Sequence, residues 1–410
     1  MEGHRKSEKD FTRTRALPFP HLICFMLNIV NGSIQSELNR FFQVIQKEHV
    51  TFNNVTAAAF CKARKKFSHT AFKSLNEVLV KTFYQTDYVK HWNGLRLLAV
   101  DGSVTTLPNS PELMRHFGKA REHSNRPATR VSQLYDVINN ITVDLQVGLH
   151  STGERDLAVN HLEFCRQGDL ILYDRGYPAN WFFKLHQHKS IDYCARVPVK
   201  STNMIKNFVK SGHLDLIVDF PCIEKSLVKC RLLGLPTTPI KLRLVKVLLQ
   251  GRKFEVLITS LIDQKRFPYN EFKALYGRRW NVEEDYKLMK SRLDIENFSG
   301  LSVEAIKQDI HAKVLTKNLG AVAIIEANVL VEEQYGHREK QYKINTTFVL
   351  SQLKDNVIRF IMRIEKIDLI EVFILAISKV VNAVRPDRKS YRNKAKVRQY
   401  KYPRAYKRIG

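Results

Sequence analysis

Two aspartates close apolar runs: Asp101 ends LRLLAV and precedes Gly102 and Ser103, and Asp174 ends DLILY and precedes Arg175, Gly176 and Tyr177. An acid placed there is carried to the carboxyl edge of a sheet, where it can face a cleft. The same position suits a turn-former or a helix cap, so either aspartate alone keeps both readings. A third acid lies in ALYGRRWNVEEDYKLMKSRL. At about 100° per residue, Tyr276, Arg279, Glu283 and Lys290 fall within roughly 60° on one helix face, along a stripe roughly 21 Å long. Such a set makes a poor core face and a good phosphate-facing one. A charged solvent face with an i,i+4 pair between Arg279 and Glu283, worth only about 0.2–0.5 kcal/mol, fits the same spacing. Trp280, beside that face, suits either stacking on a displaced base or core packing. Carboxylates brought together are hard-oxygen donors of the kind Mg²⁺ or Mn²⁺ takes. The six cysteines form no CxxC pair and have no histidine pair nearby, so neither a zinc site nor a disulfide framework is expected.

The elements that must position these residues follow from periodicity. Residues 17–90 carry Leu, Phe and Val at three- and four-residue steps, a small helical domain. Within it, VTAAAFCKARKKFSHTAF predicts a short helix bearing Lys62, Arg64, Lys65 and Lys66, then a cap at Ser68 and another helix. That unit resembles a DNA-binding helical pair, and a solvated basic face explains it equally. From residue 95 the pattern turns to strands in LRLLAVDG, RVSQLYDVIN and ITVDLQVGLH, the last two joined by a hairpin at Asn139 and Asn140. Helix ERDLAVNHLEFC, strand DLILYD, helix PANWFFKLHQHK and a strand near IDYCARVP complete the order βββαβαβ. With a later helix, this is the element order of a ribonuclease-H-like fold, an α/β mixed sheet flanked by helices. No GxGxxG follows the first strand, which weakens a Rossmann alternative. Short apolar runs separated by Pro and Gly over 198–265 predict an inserted β-rich subdomain, and helical periodicity returns from about 268.

The resulting division is a helical DNA-binding domain over 1–90, the first part of the core over 91–197, the β-rich insertion over 198–267, the second part of the core with the catalytic helix over 268–320, a helical C-terminal region over 321–384 and a basic tail over 385–410. The tail interleaves Arg and Lys with Tyr391, Tyr400, Tyr402 and Tyr406, and is expected to be disordered when free. Grip on a DNA backbone with stacking on exposed bases and simple solubilisation both fit it. A chain of 410 residues exceeds a single core. Its formal net charge of +27 points to a polyanionic partner, with nucleic acid ahead of ribosome association. The polar N-terminus and the charges at Glu326, Glu371 and Lys379 indicate neither a signal peptide nor a bilayer-spanning helix, and a cytoplasmic protein with no membrane partner is expected.

Taken together, Tyr276-x2-Arg279-x3-Glu283-x6-Lys290 resembles the signature of the insertion-sequence-four-like DDE transposases. The neighbourhoods VDGS, RVSQLYDVIN, ERDLAVNHL and YDRGY are similar to that family's core, and the long stretch from Asp174 to Glu283 has room for the β-rich insertion such enzymes carry. The resemblance covers roughly residues 50–320. It implies a DNA transposase of an insertion sequence, in which Asp101, Asp174 and Glu283 are catalytic and hold two Mg²⁺ ions, with Mn²⁺ able to substitute. It implies that Asp101 bridges both ions, with Asp174 on one and Glu283 on the other, and that Tyr276, Arg279 and Lys290 hold phosphates near the cut. It also implies water as the first nucleophile and the freed 3′-OH as the second, passage through a hairpin, double-stranded DNA partners at the terminal inverted repeats and the target, a homodimer on that DNA, and a bacterial, nucleoid-associated location. The alternatives are a catalytically inactive, transposase-derived DNA-binding protein and a ribonuclease-H-like nuclease without strand transfer.

Overall fold

The computed structural model describes residues 2–13, 15–28, 31–47, 54–120, 125–251, 253–364 and 368–385. Nearly all of the basic tail lies outside them. Four helices come first: α1 (Phe19–Leu27), α2 (Ile34–Gln46), α3 (Ala57–Arg64) and α4 (Thr70–Phe83). Ser33 and Thr56 start α2 and α3 by accepting hydrogen bonds from the backbone N–H of Ser36 and Ala59.

The sheet begins with β1 (Arg96–Thr106), then α5 (Pro111–Phe117), β2 (Ala128–Asp136), β3 (Ile141–Leu149), α6 (Glu154–His161), β4 (Asp169–Tyr173), α7 (Asn180–His188) and β5 (Asp192–Val197). The short helix α5, between the first two strands, is absent from the expected order. Pro111 at its first turn and Gly118 just past its end confine it to seven residues, too few for a clear period. The β2–β3 hairpin turns where expected. The Asp136 carboxylate accepts from the backbone N–H of Ile138 and Asn139, and Asn140 takes φ 58°.

The segment from 198 contributes α8 (Asn203–Lys210), β6 (Asp215–Phe220), α9 (Glu224–Leu232), β7 (Ile240–Leu248) and β8 (Phe254–Thr259). Its strands do not form a sheet of their own. β8 pairs antiparallel with β5, giving one eight-stranded sheet in the order β3-β2-β1-β4-β5-β8-β7-β6. β1 is antiparallel to β2 and parallel to β4, and β4 is parallel to β5. The first five strands therefore show the 3-2-1-4-5 order of a ribonuclease-H-like core.

Both faces of this sheet are covered, so its central strands read as continuous apolar runs. Along β1, Leu97 and Ala99 enter one apolar cluster while Leu98 and Val100 enter another across the sheet; along β4, Leu170 and Leu172 oppose Ile171 and Tyr173 in the same way. The first face is covered by α5, α10 (Phe272–Gly277), α11 (Trp280–Ser291) and the start of α12 (Val303–Tyr335). The second is covered by α6, α7, α8 and the end of α4.

After α12 come β9 (Tyr342–Ile344), α13 (Thr346–Met362), α14 (Leu369–Ser378) and β10 (Val381–Ala383), with β9 and β10 forming a two-stranded ribbon. α13 is broken at Lys354 and Asp355, where Asp355 takes φ 65° and its side chain and backbone bond Asn28 and Arg40. The N-terminal helices and the C-terminal region share one apolar core, with Phe25, Phe41 and Phe60 in the same cluster as Leu315, Val349 and Phe373. The boundary expected at residue 320 falls inside α12. By length and composition α12 is apolar enough to cross a membrane, yet half of that apolar window is buried within the protein.

Candidate active site

Asp101 does not end its strand. β1 continues to Thr106 against β2, whereas its pairing with β4 stops at Ala99 opposite Leu172. β4 itself ends at Tyr173, so the sheet opens on the β4 side just where the chain reaches Asp101 and Asp174. By strand alternation Asp101 shares the face of Leu97 and Ala99, the face that α11 covers. Glu283 lies in the first turn of α11.

The three acids feel one another. Burial, together with the charges of Glu283 and Asp174, pushes the Asp101 carboxyl up to about 6, while Arg279 and the Gly102 N–H oppose that rise. Arg279 is the local counter-charge. It is only 3% exposed, donates to Glu283 Oε1 at 2.7 Å, and leaves its Nε without a hydrogen-bond partner. Burial alone would favour the neutral guanidinium, but Tyr276, Glu283 and Asp101 reverse that and hold its pKa above the ordinary value.

The expected single helix carrying Tyr276 to Lys290 is two helices. At Arg278–Val282 the backbone bonds run from residue i to i−3, a tightened turn that separates α10 from α11. Tyr276 and Arg279 are packed against the sheet, while Glu283 is half-buried and Lys290 stays open to solvent. Tyr276 is buried and donates to the carbonyl of Tyr173, next to Asp174. Tyr286, absent from the expected set, donates to the carbonyls of Asp101 and Val131. Lys290 is exposed and reaches the carbonyl of Val104 at 3.0 Å. These bonds lock the helix pair onto the two aspartate-bearing strands. They also correct the view of the stripe as a poor core face: Tyr276 and Arg279 are core residues with satisfied or ion-paired heads.

Trp280 departs from the core reading. It is 45% exposed, with the Arg279 guanidinium 5.1 Å from its ring centroid. On α3, Lys62 and Lys65 are exposed, but Arg64 is 4% exposed and bonds Gln308, Ser299, Asp309 and the Ala305 carbonyl. Arg64 is a tie between α3 and α12, not a DNA contact. An arginine at that spacing on a basic helix gives no sequence signal of its burial.

The donor chemistry suits a hard divalent cation: carboxylates alone, where burial first and then the neighbouring acid charges raise a proton affinity that a cation would lower. Among the described residues no three His, Cys, Asp or Glu side chains stand close enough to cage an ion. Glu283 instead pairs its Oε1 with Arg279.

A family model described as "Transposase DDE domain" matches residues 92–319. The chain is similar to transposase InsG of insertion sequence element IS4 from Escherichia coli (strain K12), at 25% identity over 272 residues; the match covers 65% of this chain and 60% of that relative's length. It also aligns with a piggyBac transposase synaptic complex with hairpin DNA, at 9% identity and TM-score 0.43 over 92% of this chain and 78% of the other, a level at which nothing transfers. The matched residues run from the approach to β1 into α12, hold all three acids and the Tyr-Arg-Glu-Lys series, and make up more than half of the molecule: the chain belongs to the transposase DDE domain family.

Proposed function

We propose that this chain is the DNA transposase of an insertion sequence, cutting at the element ends and joining the freed 3′-OH to target DNA. The observation that carries the reading is the set of Asp101 on β1, Asp174 just past β4 and Glu283 on α11, with the charges of Glu283 and Asp174 adding to the burial that raises the Asp101 pKa. Divalent cations, Mg²⁺ or Mn²⁺, supply activation of the attacking oxygen and stabilisation of the leaving one when bound. Asp101, Asp174 and Glu283 would hold them. Arg279 offsets the acid charges and, with Glu283 on a cation, would have a guanidinium edge for a phosphate. Lys290, at the rim, and the exposed Trp280 are the groups a displaced strand meets first. Tyr276 acts through its bond to the Tyr173 carbonyl, fixing the approach to Asp174. Two such chains holding both element ends on double-stranded DNA in the bacterial cytoplasm complete the reading, with a hairpin as the second-strand route.

The test is cleavage and joining on a labelled duplex carrying the DNA that flanks the gene, with Mg²⁺, comparing the intact chain with Asp101→Ala and Glu283→Gln. Nicking and 3′-end joining in the intact chain alone, with duplex binding kept by Glu283→Gln, is the expected result. Binding of that duplex with neither reaction would overturn it in favour of a DNA-binding relic, and nicking without joining would favour a nuclease.

A further inference from the structure

Across the edge of the sheet from α11 stands a fourth acid that the three-acid reading does not use. Glu154 opens α6, and Arg130 on β2 holds its Oε1 at 2.8 Å. The next residue, Arg155, bonds the carbonyls of Gly176 and Tyr177, tying the first turn of α6 to the loop that leaves Asp174. Two glycines make room for the Glu154 carboxylate. A Cβ at Gly102, the neighbour of Asp101, would stand 3.3 Å from both Glu154 Cγ and Oε1. A Cβ at Gly176 would stand 3.0 Å from Asp174 Oδ1 and 3.6 Å from Glu154 Oε2, so both carboxylates border one point of space. Neither glycine takes a positive φ, so backbone freedom does not explain them; clearance for a carboxylate does.

A second observation points to a ligand there. Tyr177 is 1% exposed, and its hydroxyl has no hydrogen-bond partner among the described residues. Burial, then the charges of Glu154, Asp101 and Asp174, drive its pKa well above the ordinary phenol value, and it donates to none of them. A buried phenol without a partner costs about 1–3 kcal/mol unless something else in the site accepts its proton. Glu154 and Asp174 border one point of space without bonding the hydroxyl, and the water of a bound cation is a group that accepts such a proton. Magnesium sheds water reluctantly and keeps several molecules even when carboxylates hold it.

We propose that Glu154 and Tyr177 form a second wall of the catalytic centre and hold the water shell of a divalent cation bound by Asp101 and Asp174. The proposal rests on the metal-dependent reading above and adds two positioning residues to it. Glu154 accepts from the shell, the Tyr177 hydroxyl donates to it, and Arg130 keeps Glu154 aimed. The glycines of VDGS and YDRGY are then part of the site, because a side chain at either position crowds one of its carboxylates.

Mn²⁺ is the probe, titrated into the full-length chain without DNA and followed by loss of the free-ion paramagnetic resonance signal, so that no turnover enters the measurement. The intact chain should bind Mn²⁺ and Asp101→Ala should not. Glu154→Gln should weaken binding by about tenfold and Tyr177→Phe by several-fold, the scale set by partners one layer out from a metal. Tyr177→Phe is the deciding variant: it keeps the ring and removes a hydroxyl that bonds nothing among the described residues. A purely packing role predicts unchanged affinity and equal or higher thermal stability without metal. Intact-chain affinity in either Tyr177→Phe or Glu154→Gln, with binding lost in Asp101→Ala, would overturn this assignment and leave the transposase reading in place. Unchanged binding in Asp101→Ala as well would remove the metal reading together with it.

Discussion

Asp101 shows what a single residue conveys. Its type and its place after an apolar run are legible in LRLLAVDG, whereas its partnership with Asp174 comes from the family resemblance, because an acid at that position also suits a turn or a helix cap. Its energetics are not legible, since they depend on how far burial outweighs Arg279. With a folded-state value near 6 against an ordinary 3.8, the folded chain holds more protons than the unfolded chain between those pH values. Stability contributed by this group therefore falls as pH rises through that window, on the order of 2–3 kcal/mol for the full shift. Asp101→Asn should raise the unfolding midpoint of the metal-free protein at pH 8, and the gain should vanish near pH 3.5. An equal gain at both pH values would show that the carboxylate is not strained by its surroundings. Glu154 and Tyr177 lie within ERDLAVNHL and YDRGY but are invisible there as site residues, because only the folded chain brings the opening of α6 over Gly102.

Among elements, β1 and β4 are legible because both sheet faces bury apolar side chains along them, and the hairpin because Asn139 and Asn140 mark its turn. The turn between α10 and α11 is not. Tyr276 through Lys290 reads as one helix, because the single Gly277 that closes α10 is a residue a helix interior tolerates, and the shift to i−3 bonding at Arg278–Val282 follows it. The basic helix α3 shows its charge in the sequence, and the fold divides that charge by role. Arg64→Met should cost about 3–5 kcal/mol, because it leaves Asp309 buried beside Gln308 and Ser299 without its cation. Lys62→Ala with Lys65→Ala should leave stability within about 0.5 kcal/mol and lower the salt dependence of DNA binding, by close to one unit of slope for each phosphate no longer neutralised. Chemical denaturation and binding titrations across salt separate the two classes. A strong stability loss in the double lysine variant, or an unchanged salt slope, would contradict the division.

At the scale of the molecule, the expected run of separate domains becomes two lobes that share a helix. The N-terminal helices have no core of their own: their phenylalanines meet α12, α13 and α14, which lie more than two hundred residues later in the chain. No local pattern can reveal that. Along α12, Ile306, Ile310 and Val314 belong to the core beneath the catalytic helices, Leu315, Ala327 and Val331 belong to the helical lobe, and Ala321, Val322 and Ile325 lean on the far side of the sheet. Lys317 pairs with the buried Asp285 of α11 on the way. One helix is thus a member of every apolar cluster, and opening any one of them exposes part of it. The amide hydrogens in the middle of α12 should accordingly exchange with solvent only through global unfolding, at the slowest rate in the protein, and should do so in step with those of β1 and α1. Faster exchange in α1 than in β1 would mean that the lobes melt separately. If they melt together, the N-terminal helices and the catalytic sheet are one cooperative unit, and neither can be expressed as a stable fragment or exchanged for a relative's counterpart without the other.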